Sequence, residues 1–194
     1  MNLLRISIIP LVVFLSFFSA EGKSDSLWVK PAIIWGSYFS ENFALPGYCL
    51  NVEKTLRIHG LNSFALDGGT GGVFANPFYD AYFLYLGLSG RHNYLNNMFV
   101  DISCNIGYQH LFNAQKTYEV ENNRIVEQPN YGYPMAILYV PLGIGYNFQP
   151  TLKIPLQLRL AAGVVVEYPT NWWVMTHWAY QIGIGVPLPL GGHR

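Results

Sequence analysis

The sequence predicts an all-β fold, an eight-stranded antiparallel up-and-down β-barrel that crosses a membrane. Eight segments alternate apolar and polar residues, and this period places the two kinds of side chain on opposite faces of a strand. Charged residues make up only 11% of the chain, against about 25% in soluble domains. Aromatic residues reach 16%, and membrane barrels carry aromatic girdles at their interfaces. Together these observations favour strands that face lipid.

The N-terminus has the pattern of a secretory signal peptide. Arg5 ends a short positive region, an apolar run follows at residues 6–20, and Ala20-Glu21-Gly22 offers small residues for cleavage. A retained N-terminal anchor is the alternative. No other segment approaches about 18 consecutive apolar residues, so we expect no transmembrane helix in the mature chain. The predicted domains are a signal peptide at 1–22 and a barrel domain at 23–194.

The eight strands are predicted from the alternation. The clearest pattern lies at residues 100–112, where Asp101 and Gln109 take the polar face and Ile106 takes the apolar face. The glycine-rich third strand has the weakest pattern. In chain order, the predicted strands are Leu27–Phe39, Gly47–Arg57, Ser63–Phe74, Ala81–Arg91, Val100–Phe112, Met135–Phe148, Lys153–Tyr168 and Trp172–Val186.

The phase of each strand assigns its residues to one of two faces. In the first strand, Ile33 and Trp35 share the face assigned to lipid, and Lys30 takes the other face. In the remaining strands, rows of large apolar residues mark the lipid face. These rows include Leu50 and Val52 in the second strand, Leu66 in the third, Leu84, Leu86 and Leu88 in the fourth, Leu142 and Ile144 in the sixth, Leu158 and Leu160 in the seventh, and Ile182 and Ile184 in the eighth.

The connections between strands alternate in length. Tight turns are predicted near Ile58–Asn62, Asn93–Asn97 and Gln149–Leu152, whereas the longest link is Asn113–Asn130. Within that link, Asn122-Asn123 divides two short alternating runs, which is a hairpin signature. An exposed edge there could accept a strand from a protein partner. A solvated loop without a partner is the alternative.

Two kinds of barrel use alternating strands, and they differ in which face points inward. A secreted lipocalin-like barrel places its apolar face inside and covers its outside with charge. A membrane barrel does the reverse, because hydrocarbon is as apolar as a protein core. The low charge fraction favours the membrane barrel. An eight-stranded interior is also too narrow for eight rows of large side chains.

The signal peptide, the eight alternating strands, the asymmetry of turns and loops, and the aromatic strand ends resemble the small eight-stranded outer-membrane barrels of the OmpA, OmpX and lipid A deacylase type. This resemblance implies a monomer in the bacterial outer membrane, in contact with its lipid. The chain departs from the pattern at its C-terminus, which ends in LGGHR and not in an aromatic residue. Pro141 also falls inside a predicted strand, where it should mark a bulge or a seam.

Charged residues concentrate on the face assigned to the lumen, with basic and acidic side chains in balance. We expect them to pair with one another and to plug the barrel, giving a structural or surface-interaction role. A narrow, porin-like path for ions or small solutes is the alternative. The predicted lumen network consists of Lys30, Glu53, Arg57, Asp67, Arg91, Asp101, Arg159, Glu167 and His177.

Aromatic residues gather toward the ends of the strands that precede the longer loops. Amphipathic rings suit the boundary between headgroups and acyl chains. The predicted interfacial girdle includes Tyr38, Tyr108, Phe112, Tyr168 and Trp172.

His110 is the residue that most resembles a catalyst. The segment QHLFNA is similar to the His-X-Ser-Asn motif of the lipid A deacylases, and only His110 and Asn113 correspond to it. Phe112 occupies the position of the nucleophile and has no hydroxyl group. We therefore expect no catalytic residue here, and an enzyme acting on outer-leaflet lipid remains the alternative function.

Several other classes of site are not indicated. The net charge is zero, with 11 basic and 11 acidic residues, so no surface for nucleic acid is expected. Cys49 and Cys104 fall on opposite faces of their strands, which excludes a disulfide. A metal at His177 would need further ligands at suitable spacing. We expect neither a metal nor a cofactor.

Overall fold

The fold was analysed in a computed structural model, which describes residues 32–42, 45–75, 79–113, 116–121, 124–128, 132–169 and 174–188. The predicted signal peptide at 1–22, Lys30 and Trp172 lie outside the described residues. Among the described residues, no helix is long and apolar enough to cross a membrane. The strands are β1 Ala32–Glu41, β2 Leu45–His59, β3 Asn62–Ala75, β4 Tyr79–Asn93, β5 Met98–Asn113, β6 Thr117–Glu121, β7 Arg124–Gln128, β8 Tyr133–Asn147, β9 Gln157–Pro169 and β10 Met175–Leu188, with a four-residue helix α1 at Gln149–Leu152.

Eight of these strands form a closed barrel in the order β1-β10-β9-β8-β5-β4-β3-β2. Every neighbouring pair is antiparallel, and the barrel closes where β1 pairs with β10 from Ala32↔Leu188 to Glu41↔Ala179. β6 and β7 form a separate two-stranded sheet within the link between β5 and β8. The predicted eight-stranded up-and-down barrel is confirmed. The predicted hairpin between β5 and β8 is also confirmed.

The two faces of most strands follow the predicted phases. Leu84, Leu86 and Ile106 are exposed on the outside, whereas Asp101 and Arg159 are buried inside. The short connections also lie where they were predicted, between β2 and β3, between β4 and β5, and at α1 between β8 and β9. Cys49 is buried and Cys104 is exposed, and both are free thiols.

The predicted phase of the first strand is wrong. Ile33 and Trp35 are buried, Trp35 with only 1% of its surface exposed, whereas Ile34 and Tyr38 face outward. The error has a physical cause. Ile33 and Ile34 are adjacent and both apolar, so the alternation is ambiguous, and the lumen contains apolar rings that accept Trp35. The prediction that Lys30 faces the lumen used a strand phase that β1 does not adopt. Lys30 itself lies outside the described residues.

The predicted place of Arg57 in the lumen is also wrong. The pairing of β2 with β3 shifts by one residue between Thr55 and Arg57. Thr55 is buried, but Leu56 and Arg57 are both exposed. An extra residue in one strand reverses the alternation that follows it, and this bulge turns Arg57 away from the network.

Pro141 marks neither a bulge nor a seam. The register of β5 with β8 is the same on both sides of Pro141. Ile102 pairs with Leu142 on one side and Asn105 pairs with Tyr139 on the other, whereas the two residue pairs between them are not hydrogen-bonded partners in the ladder. The pyrrolidine nitrogen cannot donate to the ladder, so the strand continues in register with a gap in its pairing. The side chain of Pro141 is fully buried in the lumen.

Candidate functional site

Arg91 is the centre of an ionic layer in the lumen toward the short-turn end. Its Nη2 lies 2.7 Å from Oε2 of Glu53 and 3.3 Å from Oδ2 of Asp101. Its Nη1 donates to Gln157 at 3.3 Å. The guanidinium carbon lies 4.2 Å from the centroid of the Phe99 ring. These partners come from three other strands, β2, β5 and β9, so the side chain of Arg91 links the layer across the lumen.

Asp101 connects Arg91 to the second buried arginine. Arg159 donates to Oδ1 of Asp101 from Nε at 3.0 Å and from Nη2 at 2.7 Å. A Cβ atom on Gly143 would lie 2.4 Å from this same oxygen and 2.7 Å from Arg159 Nε. Only glycine therefore leaves room for the pair at this point of β8.

Asp67 lies opposite Glu53 in the ladder of β2 and β3 and accepts a hydrogen bond from an amide. Asn51 donates from Nδ2 to Oδ1 of Asp67 at 2.9 Å, and both residues are buried. On the other side of the layer, Trp35 Nε1 donates to Glu53 Oε2 at 3.2 Å. Three carboxylates and two guanidiniums thus share this region, and amide and indole groups donate further hydrogen bonds to two of the carboxylates.

An apolar layer crosses the lumen above the ionic layer. The ring of Phe39 on β1 lies 5.2 Å from Phe83 on β4 and 5.9 Å from Tyr139 on β8, between ring centroids. Tyr85 continues the contacts, 6.2 Å from Phe83 and 6.5 Å from Tyr139. β1, β4 and β8 are not neighbours in the barrel. The rings therefore meet in the middle of the lumen, which contains an apolar layer beside the predicted polar residues.

A second polar cluster lies above the apolar layer, toward the long-loop end. His177 Nε2 lies 3.5 Å from Oε2 of Glu41 and 3.9 Å from Oε1 of Glu167. Gln109 donates from Nε2 to Oε1 of Glu167 at 2.7 Å. The donor atoms of Glu41, Glu167 and His177 all lie within 4.8 Å of one another, so this group could hold a metal ion. We call these three residues the outer triad.

The predicted lumen residues thus divide between two places. Glu53, Arg91, Asp101 and Arg159 form a chain of ion pairs, and Asp67 lies opposite Glu53 in the ladder and is hydrogen-bonded to Asn51. Glu167 and His177 belong to the outer triad. Arg57 is exposed at the bulge, and Lys30 lies outside the described residues.

Sequence reasoning missed Glu41 and the inward aromatic rings. Glu41 lies two residues beyond the predicted end of the first strand and on the face assigned there to lipid. The correct phase of β1 was the signal that could have found it, because residues 33, 35, 39 and 41 share one face. That phase would also have placed Phe39 inside.

Aromatic rings lie side by side on the outside of the barrel near its long-loop end. Of the predicted girdle, Tyr38, Tyr108, Phe112 and Tyr168 are exposed, and Trp172 lies outside the described residues. A chain of contacts crosses β2 to β5, with centroid distances of 6.0 Å for Tyr48–Phe74, 6.2 Å for Phe74–Tyr82 and 6.1 Å for Tyr82–Phe112.

His110 takes part in this external row of rings. Tyr108 Oη and His110 Nδ1 are 2.7 Å apart, and the His110 and Phe112 rings are 4.5 Å apart between centroids. The Phe112 side chain therefore covers the histidine at the position where a nucleophilic hydroxyl would be needed. This arrangement gives no support to ester hydrolysis at His110.

No family model matches the sequence, and no curated protein matches it. Solved structures share the fold. The outer-membrane enzyme PagL matches with a TM-score of 0.50 at 9% identity, over 80% of this chain and 99% of PagL. The N-terminal barrel domain of Pseudomonas aeruginosa OprF matches with a TM-score of 0.49 at 12% identity, over 82% and 98% of the two chains. Neisserial surface protein A matches with a TM-score of 0.44 at 14% identity, over 82% and 95%.

At these identities the likeness concerns the fold alone. The closed barrel of eight antiparallel strands is the fold that this chain shares with PagL, over 99% of the PagL chain. The chain therefore has the architecture of the small eight-stranded outer-membrane β-barrels.

Proposed function

We propose that this chain is a monomeric integral protein of the bacterial outer membrane, exported by a signal peptide at residues 1–22. Its exterior supports this, since Leu84, Leu86 and Ile106 are each more than half exposed, and such a surface is stable only against hydrocarbon. The exposed rings of Tyr38, Tyr108, Phe112 and Tyr168, with Trp172, would contact the lipid headgroups.

The barrel is proposed to be an anchor that does not conduct ions. Two layers of side chains support this part of the proposal, the ionic layer around Arg91 and the aromatic layer around Phe39. An eight-stranded barrel has an interior just wide enough for side chains to fill. Both layers are built from strands on different sides of the barrel, so their side chains meet across the lumen.

The surface role is proposed to belong to the β6–β7 hairpin. Val120 and Ile125 lie directly opposite each other in its ladder, and they are 70% and 76% exposed. Among the described strands, β6 and β7 pair only with each other, so each presents a free edge. Free edges and exposed apolar pairs are the features that bind a partner strand. These features of the hairpin are the observation that best supports a surface-interaction role with a protein partner.

Photo-crosslinking on intact cells that display the barrel tests this role. A photoreactive residue replacing Ile125 should form a discrete protein adduct, and the additional change Val120→Asp should abolish it. The matched control carries the photoreactive residue at Glu119, whose side chain projects from the opposite face of the hairpin. Barrels in which residues 116–127 are replaced by a short linker should lose the surface binding. Unchanged binding after this replacement would contradict the proposal.

A further inference from the structure

The outer triad combines three neighbouring strands around the point where the barrel closes. Glu41 lies on β1, His177 on β10 and Glu167 on β9. In the ladder, Glu41 is opposite Ala179, and Glu167 is opposite Met175. His177 is therefore the diagonal neighbour of both glutamates, a position from which long side chains on one face of a sheet can meet.

Both carboxylates of the triad are deeply buried. Glu41 is 2% exposed and Glu167 is 4% exposed. In the ionic layer below, buried carboxylates have Arg91 and Arg159 as partners. Within the described residues, the only ion-pair partner of Glu41 and Glu167 is His177. Buried charges in proteins are paired or coordinate metals, and one imidazole is a weak counterpart to two carboxylates.

The imidazole supplies a second observation. His177 Nε2 is buried and makes no hydrogen bond to any described residue, although it points between the two carboxylates at 3.5 Å and 3.9 Å. Both separations exceed that of a well-formed hydrogen bond, and a buried polar atom left so poorly satisfied requires an explanation. A cation placed between the three groups would provide one.

We propose that the outer triad binds a divalent transition-metal ion, with zinc as the best fit. Zinc takes His nitrogen and carboxylate oxygen at about 2.0–2.2 Å in a tetrahedral arrangement, so its ligand atoms lie about 3.3–3.6 Å apart. The separation of His177 from Glu41 is within this range, and the separation of His177 from Glu167 exceeds it by about 0.3 Å. Imidazole is a poor ligand for magnesium and calcium, which take oxygen.

The surroundings of the triad fit this occupant. Gln109 donates a hydrogen bond to Glu167, as groups around a metal site do when they orient a ligating carboxylate. Three protein ligands and one water would complete the tetrahedron. The ion would then cross-link the first and last barrel strands at the outer end.

Isothermal titration of Zn²⁺ into the protein purified from membranes in detergent tests the site. The expected result is one equivalent of Zn²⁺ per chain, with an affinity at least tenfold weaker for His177→Gln and Glu41→Gln. His59→Gln changes a histidine at the short-turn end and should bind as the unaltered protein does. Mg²⁺ should not compete. Co²⁺ should give the intense visible absorption of a tetrahedral site, and His177→Gln should lose it.

The unaltered protein decides the question without any variant. The absence of stoichiometric Zn²⁺ binding to it would overturn the proposal, as would equal affinity in folded His177→Gln. Folding of each variant is verified by its heat-dependent migration on a gel. Zn²⁺ should also raise the urea midpoint of the unaltered barrel and leave the midpoint of His177→Gln unchanged. The test is independent of the hairpin, so the surface-interaction role stands or fails separately.

Discussion

At the residue scale, Asp101 has the largest structural role in the lumen. It receives three hydrogen bonds from two buried guanidiniums, at 2.7 Å, 3.0 Å and 3.3 Å. Breaking a buried ion pair by removing one partner is costly, because the remaining charge stays buried without compensation. The carboxylate of Asp101 is important because its negative charge compensates the positive charges of both Arg91 and Arg159.

The substitution Asp101→Ala should therefore lower the free energy of unfolding by about 3–5 kcal/mol. Urea unfolding of the barrel in lipid vesicles, followed by tryptophan fluorescence, measures this change. Glu119→Ala removes an exposed carboxylate from the hairpin and should change the free energy by less than about 0.5 kcal/mol. A loss below about 1 kcal/mol for Asp101→Ala would mean that water solvates the two arginines.

Two glycines, Gly143 facing the lumen and Gly36 facing outward, give a matched pair for testing the packing in the lumen. A Cβ on Gly143 would overlap the Asp101–Arg159 pair, whereas a Cβ on Gly36 would lie 3.8 Å from Leu50 Cδ2. Gly143→Ala should lower the free energy of unfolding by about 1–3 kcal/mol, as overpacking does. Gly36→Ala should leave it within about 0.5 kcal/mol. The same urea titration compares them, and equal effects would contradict the assigned packing.

At the scale of elements, alternation predicted the strands well and their faces less well. It located β2, β4, β5, β8 and β9 because lipid requires an unbroken apolar row on one face while the lumen tolerates polar groups. It failed in β1, where the lumen is itself apolar beside Ile33, Trp35 and Phe39 and both faces look alike. It could not foresee the bulge at Arg57, because one inserted residue depends on the pairing with β3.

The candidate site was accessible from the sequence only in part. The charged residues of the ionic layer were identified because a charge facing lipid costs about 2–4 kcal/mol, which confines it to the lumen. The contacts that these residues make across the barrel could not be predicted, because a contact such as that of Arg91 with Gln157 depends on the closure of the sheet. The outer triad was missed because the phase of β1 determines whether Glu41 meets His177.

The hairpin should be dispensable for the barrel. β6 and β7 pair with each other and with no other described strand. Replacing residues 116–127 by a short Gly-Ser linker should leave the urea midpoint and the unfolding free energy of the barrel unchanged within about 0.5 kcal/mol. A larger loss would show that the hairpin braces β5 and β8, and the binding experiment on the trimmed barrel would then need a milder variant.

At the scale of the whole molecule, the lumen is organised in layers along the barrel axis. Ile33, Trp35 and Phe99 form a small apolar cluster at the short-turn end, and the ionic layer, the aromatic layer and the outer triad follow toward the loops. The ionic layer and the aromatic layer each join strands that are distant in the sequence and on different sides of the barrel. Such layers stabilise a narrow barrel and leave little room for solutes, which favours an anchor over a pore.

Planar-bilayer recording of the purified protein tests this central claim most directly. A water-filled pore through the barrel would give steady ionic current, whereas side chains that meet across the lumen should prevent it. We expect the current to stay at the baseline of the bare bilayer after the barrel has inserted, with insertion verified by protease protection of the same vesicles before fusion. A porin of known conductance added to the same bilayer is the control for detection. Steady, large conductance from the unaltered chain would contradict a closed lumen.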